Sequence, residues 1–443
     1  MKKIIPILFI LLLFSCVPQK NALTTGYYVS PVGNDSNSGN QTAPFKTIQK
    51  AANVAQAGSV VYVAPGTYAP FVTKFSGIAG APITFVGSGA VIDGKNGSDN
   101  GIYIPNSFIT IIGFEVMNNG NPTTGRKGVY VAGTGAHDIV LQDLIVHDNY
   151  QEGIMVYNGA YNYVIQNVKS YHNGQVVGGA GIIVYQAGAN GKILNNELYN
   201  NGDWAKAGVT YASGIEVCWT ATNILIDGNR IYHNAMQGID LCGDSSGTTV
   251  SNNIVYGNGN VGIGPNNGTF NNVIKNNVVY GNKQSAGWGG GIYVWGTVSG
   301  TQILNNTIYG EQRNGIGIES TKITGTTIKN NISWGNTTDL LVNSVVVEDY
   351  NDLRGGKGSH DIALNPLFVN VATGDFHLQP GSPVIGKGES GIDLGALPFQ
   401  QSIPITPTQT RTSTPTLTRT PTVTPVFCVT ATPVITPLPV CVP

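Results

Sequence analysis

Two carboxylates carry the chemistry this chain could perform: Glu216 and Asp240 each stand two residues after a glycine, in Gly214-Ile-Glu-Val and Gly238-Ile-Asp-Leu. The 24-residue step between them recurs along the chain, so the two side chains are expected on equivalent positions of adjacent coils, about one strand spacing apart. Like charges so close do not both stay ionised without a cation or a shared proton. One outcome is a bound Ca²⁺, which takes oxygen ligands, making Glu216 and Asp240 candidate metal ligands. Another is a retaining hydrolase pair, for which carboxyl groups about 5 Å apart are typical. The bland alternative is that both splay into solvent.

The elements that must position them follow from one phrase, a glycine, then Ile or Val, one free position and usually another aliphatic residue. It occurs nine times, at Gly101, Gly128, Gly153, Gly181, Gly214, Gly238, Gly262, Gly291 and Gly315, with steps of 27, 25, 28, 33, 24, 24, 29 and 24 residues. A polar pair runs in phase with it: Gln166-Asn167, Asn195-Asn196, Gly228-Asn229, Asn252-Asn253, Asn276-Asn277, Asn305-Asn306 and Asn330-Asn331. Asn tolerates the left-handed backbone and bonds to nearby main chain, so each pair marks a sharp corner, and stacked corners should bond coil to coil. Each unit reads as short period-two strands, and coils of about 24 residues stack into parallel sheets. The expected fold is all-β, a single-stranded parallel β-helix with a short N-terminal capping helix from Ile48 to Ala57 behind an N-cap at Thr47.

With the aliphatic residues inward, the free positions form an outward column: Tyr103, Tyr130, Met155, Ile183, Glu216, Asp240, Gly264, Tyr293 and Gly317. The next column reads Pro105, Ala132, Tyr157, Tyr185, Cys218, Cys242, Asn266, Trp295 and Glu319. Insertions (118–127, 174–180, 202–213 and 283–290) all precede a Gly-Ile strand and should form a wall beside these columns. Candidate binding residues are therefore Trp204 and Tyr211 in the wall, Arg126 and Lys127 in an earlier loop, and the rings of Tyr185, Trp219, Tyr293 and Trp295. His172 and His233 end equivalent strands and read as structural. The column Tyr199, Tyr232, Tyr256, Tyr280, Tyr309 and Trp334 reads as aromatic stacking that supports the coil, with sugar contact as its alternative.

Charged residues are only 11% of the 443 and the net charge is −1, which leaves no electrostatic case for nucleic acid. Lys2 and Lys3 followed by an apolar run to Phe14 form an export-signal pattern, and Leu13-Phe14-Ser15-Cys16 resembles a bacterial lipobox. The expectation is a signal over residues 1–16, lipidation of Cys16 and a membrane tether at the cell surface, or else a plain signal peptide cut nearby. Cys218 and Cys242 stand in register for a disulfide, or remain two free thiols; Cys428 and Cys441 form a second candidate pair. The domain is expected over 26–399 and the Thr-Pro tract of 400–443 as a stalk, glycosylated spacer or remnant linker.

The segment from Tyr27 to Tyr68, the Gly-Ile-x-Val and Asn-Asn-x-Ile-Tyr phrases, and the closing Asn365-Pro-Leu-Phe, Gly374-Asp-Phe-His-Leu and Pro380-Gly-Ser-Pro resemble the right-handed parallel β-helix proteins of the pectate-lyase-like superfamily. The resemblance implies a right-handed coil and a surface for acidic polysaccharide. It is less specific for activity, since the superfamily holds lyases, hydrolases, epimerases and adhesins. No Asp-Pro-His-Asp tetrad of the epimerase kind occurs, and the aspartate cluster and lysine of the family-nine pectate lyases have no clean counterpart in the central coils. A lyase needs a cation against the uronate carboxylate and a base for the α-proton. Glu216 and Asp240 are the expected Ca²⁺ ligands and catalytic centre, with Lys206, or Arg126 or Lys127, as base or clamp. The alternatives are a non-catalytic glycan-binding or structural surface protein and a glycoside hydrolase, in each case expected as a monomer.

Overall fold

Alternation of aliphatic and polar residues forces each short strand to bury one face. In the computed structural model, Ile102, Val129, Ile154, Ile182, Ile215, Ile239, Ile263, Ile292 and Ile316 line one interior column and are all fully buried. The structure describes residues 26–174, 179–202, 212–282 and 289–400. Among these, three parallel sheets of 13, 12 and 11 strands are visited in turn by each coil, a parallel β-helix as expected. Cys428, Cys441 and Cys16 lie outside the described residues, as do Trp204, Lys206 and Tyr211.

The glycine of the repeating phrase is fixed by close packing. A Cβ on Gly238 would lie 2.7 Å from the main-chain oxygen of Gly262 and collide with Val255. The next coil comes too near for any side chain.

Two ladders of buried amides run along the corners. In the first, Asn196, Asn229, Asn253, Asn277, Asn306, Asn331 and Asn351 each donate or accept between coils; Asn253 Nδ2 donates to Asn277 Oδ1 at 2.9 Å. Their predecessors, such as Asn195, Asn252 and Asn276, hold the left-handed backbone. This is the corner expected from the Asn pairs. The second ladder, unforeseen, sits between the 12- and 11-stranded sheets: Asn119, Asn149, Asn173, Asn201, Asn234, Asn258 and Asn282, then Glu311. His172 and His233 occupy the left-handed position just before it, with φ of 52° and 54°.

The outer face of the 12-stranded sheet carries the expected aromatic stack. His147, Tyr171, Tyr199, Tyr232, Tyr256 and Tyr280 follow one another with centroids 4.8–5.1 Å apart and planes within 2–11°.

One expectation is corrected. The helix spans only Ile48–Ala52, capped by the Thr47 side chain and ended at Asn53, because five residues suffice to bury Ile48, Ala51 and Ala52 over the first coil; Ala55 is buried from the turn that follows. The closing segment lies against the side of the coils. Phe368, Phe376, Leu378, Val384 and Leu394 pack with Val278 and Ile332, and against Tyr280, Tyr309 and Trp334, on the flank of the 12-stranded sheet.

Candidate functional site

The 11-stranded sheet holds the two carboxylates, and its register reproduces the expected columns. Tyr103 pairs with Tyr130, Tyr130 with Met155, Met155 with Ile183, Ile183 with Glu216, Glu216 with Asp240 and Asp240 with Gly264. Strands Ile215–Cys218 and Ile239–Cys242 carry the pair. Every insertion opens at the corner before this sheet, between the 12- and 11-stranded faces.

An outward position is not an exposed one here. Glu216 and Asp240 are part-buried, and Tyr293, also in the column, is only 3% exposed. Candidate ligand atoms of Glu216, Asp240, Cys218 and Cys242 lie within 4.8 Å of one another. The cysteines are joined as a disulfide, with Cα atoms 4.5 Å apart. Their sulfurs are therefore not thiolate ligands, and the donor set that remains is oxygen.

Burial raises both carboxyl groups above their ordinary range. At Glu216 the neighbouring Asp240 charge adds to the rise and Glu152 adds further. At Asp240 a hydrogen bond from Asn266 Nδ2 to Oδ1, 2.7 Å long, acts in the opposite direction. Both shifts favour the protonated form of the pair, as expected for two like charges in a poorly solvated site.

Aromatic rings flank it on both sides. Toward the C-terminus, Trp295 lies over Gly264, where a Cβ would stand 2.5 Å from its ring, and Tyr293 lies over Gly317. Glycine at these two positions is what leaves room for the rings. Toward the N-terminus, Trp219 follows the disulfide, is 49% exposed and rests on Gly243. It continues into Tyr185, with ring centroids 6.1 Å apart.

The two candidate cations of the earlier loop are already engaged. Lys127 Nζ donates to Gln151 Oε1 at 2.5 Å and lies 3.7 Å from Glu152 Oε2. Arg126 donates from Nε and Nη1 to the main-chain oxygens of Ser98, Thr124 and Gly125. Glu152 itself was not singled out from the sequence. It is buried, its carboxyl group is raised by that burial and pulled back by Lys127. The signal was present, since Lys127 and Glu152 both stand immediately before a repeat glycine and so share a column.

Comparison with known proteins bears on the fold and the family. Over 173 residues the chain is 30% identical to pectate lyase PEL9 of Emericella nidulans, covering 34% of this chain and 40% of that protein. Over 139 residues it is 31% identical to the uncharacterized protein YwoF of Bacillus subtilis, covering 29% of this chain and 28% of YwoF. It thus spans less than half the length of these curated relatives. The crystal structure of pectate lyase Pel9A superposes with a TM-score of 0.54 at 20% identity, covering 85% of this chain and 97% of that one. The complex of XylC with xylose gives 0.58 at 14%, covering 78% and 87%. At such identities the likeness is one of fold. The sequence profile of the Pel9A-like, right handed beta helix region matches residues 27–339, most of the solenoid and all of the carboxylate centre. This chain therefore belongs to the Pel9A-like right-handed β-helix family.

Proposed function

We propose that this chain acts outside the cell on acidic polysaccharide, cleaving it by β-elimination at the centre formed by Glu216 and Asp240. The observation that carries the proposal is the carboxyl pair itself: in register on adjacent coils, part-buried, within 4.8 Å, and raised above the ordinary range. Family membership and the pectate lyase named among its relatives support the substrate class.

The oxygen donors suit Ca²⁺, which the Glu216 and Asp240 carboxylates would hold. When bound, the cation supplies charge neutralisation for the two carboxylates and for a substrate uronate. Asn266 fixes the rotamer of Asp240 through its hydrogen bond, and Trp295 over Gly264 and Trp219 over Gly243 supply the neighbouring aromatic surface. A base must take the α-proton. We assign that role to Lys206, which lies outside the described residues, because Lys127 is committed to Gln151 and Glu152. Export through the N-terminal signal, a lipid tether on Cys16 and a monomeric state belong to the same proposal.

The test is ultraviolet absorbance of the full chain with pectate, alginate and glycosaminoglycans, with and without a chelator. The expected result is a rise on one polymer that the chelator suppresses, that Glu216→Gln and Asp240→Asn reduce at least a hundredfold, and that Lys206→Ala abolishes without loss of folding. Absence of a rise on every polymer would overturn elimination. A second reading, retaining hydrolysis, is favoured by one observation: the register sets the two carboxyl-bearing residues side by side on adjacent strands, about one strand spacing apart, near the separation of about 5–5.5 Å of such pairs. It would give new reducing ends with no absorbance. Glycan binding with neither product would identify a non-catalytic binding protein.

A further inference from the structure

A second aromatic series crosses the 11-stranded sheet and ends beside the carboxylate centre. Tyr103, Tyr130, Tyr157, Tyr185 and Trp219 lie on five successive coils. Their ring centroids are 5.2, 6.3, 6.0 and 6.1 Å apart, and their interplanar angles open from 25° to 50° along the series. The series is a diagonal: Tyr103 and Tyr130 stand two residues after their repeat glycines, Tyr157 and Tyr185 four, and Trp219 five. At about 4.8 Å per coil it runs some four strand spacings along the sheet.

Three features say that this track is built for a ligand. Tyr103, Tyr130 and Tyr157 stay within 25° of one another, but from Tyr157 to Trp219 the rings are 6.0–6.1 Å apart and tilted by 32–50°, so parts of their faces stay open. Trp219 is held at φ of 56° and Thr220 at 68°; a bulky residue in the left-handed region costs about 1–3 kcal/mol and concentrates at functional sites. Finally, the track offers no net positive charge among the described residues. Lys127, 5.8 Å above the Tyr130 ring, is neutralised by Glu152, and Arg126 is spent on carbonyls.

A chain bearing a carboxylate on every sugar would meet no counter-charge along the track, and each charge brought near the rings would lose solvation uncompensated. Uncharged sugar rings lose nothing comparable and lay C–H faces on aromatic surface. We infer that the stripe from Tyr103 to Trp219 binds a run of uncharged sugars, neutral or esterified, lying along the helix axis and leading toward the carboxylate centre. The substrate is then a polymer in which charged uronate is interrupted by uncharged stretches. The placement of the charged residue at Glu216 and Asp240 rests on the reading above; binding along the stripe does not.

The experiment uses the full chain in the presence of a chelator, with polygalacturonate and its methyl ester of matched length as probes, followed by affinity electrophoresis and tryptophan fluorescence. The methyl ester is expected to bind at least tenfold more tightly than the free acid. Tyr157→Ala and Trp219→Ala should each weaken it about tenfold with circular dichroism unchanged, and Tyr157→Phe should retain binding. Equal affinities, tighter binding of the free acid, binding of neither, or indifference to both alanine variants would each overturn the inference. Elimination measured separately reports on Glu216 and Asp240: selective binding without turnover leaves the track standing and removes the proposed reaction.

Discussion

Two aromatic series lie on neighbouring faces of one solenoid, and they differ in geometry. On the 12-stranded face the rings from His147 to Tyr280 are stacked at 4.8–5.1 Å with planes within 11°, so each interior ring has both faces covered by its neighbours. Arg230 adds cation–π contacts to Tyr232 and Tyr256 and donates to the Tyr256 hydroxyl, and Tyr232 donates to Glu197 at 3.1 Å. On the 11-stranded face the rings are splayed to as much as 6.3 Å and 50°, and the series ends at a half-exposed tryptophan beside two carboxyl groups. In-register repetition produces stability and leaves little for a partner; a diagonal that breaks register leaves surface for one.

The contrast can be broken from the structural side first. Asn258 lies in the ladder bordering both faces, accepting from Asn234 N and Nδ2 at 3.0 Å and donating to Asn282. Asn258→Ala orphans the buried Asn234 N–H, takes one acceptor from Asn234 Nδ2 and breaks the bond to Asn282, and should cost about 3 kcal/mol in denaturant unfolding. The paired substitutions Tyr232→Ala and Tyr157→Ala then compare the faces directly. The first removes two stacked pairs and should destabilise by about 2 kcal/mol; the second should cost less than about 1 kcal/mol while weakening glycan binding. Equal losses of stability would erase the distinction.

The smallest expected effect separates the faces by pH. In the cation-free protein Glu216 and Asp240 have folded-state pKa values raised above their unfolded values, so the folded state binds more protons across that interval. Stability then falls as pH rises from the ordinary carboxylate range through the raised values. Thermal unfolding with a chelator should show this slope, Glu216→Gln should flatten it, and added Ca²⁺ should restore stability at the high-pH end. Tyr232→Ala should shift the whole curve without changing its slope.

Much of this was legible in the sequence. The Gly-Ile phrase gave the coil, the two outward columns match the observed register, and Cys218 and Cys242 face each other because positions four residues after a repeat glycine coincide. The first Asn ladder was read from its pairs. The second was written as Tyr-x-Asn at Tyr171, Tyr199, Tyr232, Tyr256 and Tyr280, and the middle residue, His or Gly or Asn, hid the common left-handed corner. Burial of the carboxyl pair was not legible, since spacing tells which way a side chain faces and not what packs around it. Nor was the stripe, because its members occupy different offsets from their glycines and appear in no single column.

The second amide ladder has a direction. From Asn119 to Asn282 each side chain hands its N–H to the next coil, and the series terminates on the carboxylates of Glu311 and, after Asn336, Asp339, the latter held by Arg354. An interior coil therefore presents the same acceptor to the coil before it and the same donor to the coil after it. Such a unit can be duplicated or excised whole by recombination of the coding sequence without exposing an unmatched group, provided the acidic terminus is kept. Length becomes a heritable variable decoupled from chemistry: a lineage can lengthen the aromatic track by one coil while its carboxylate centre and its ending stay as they were.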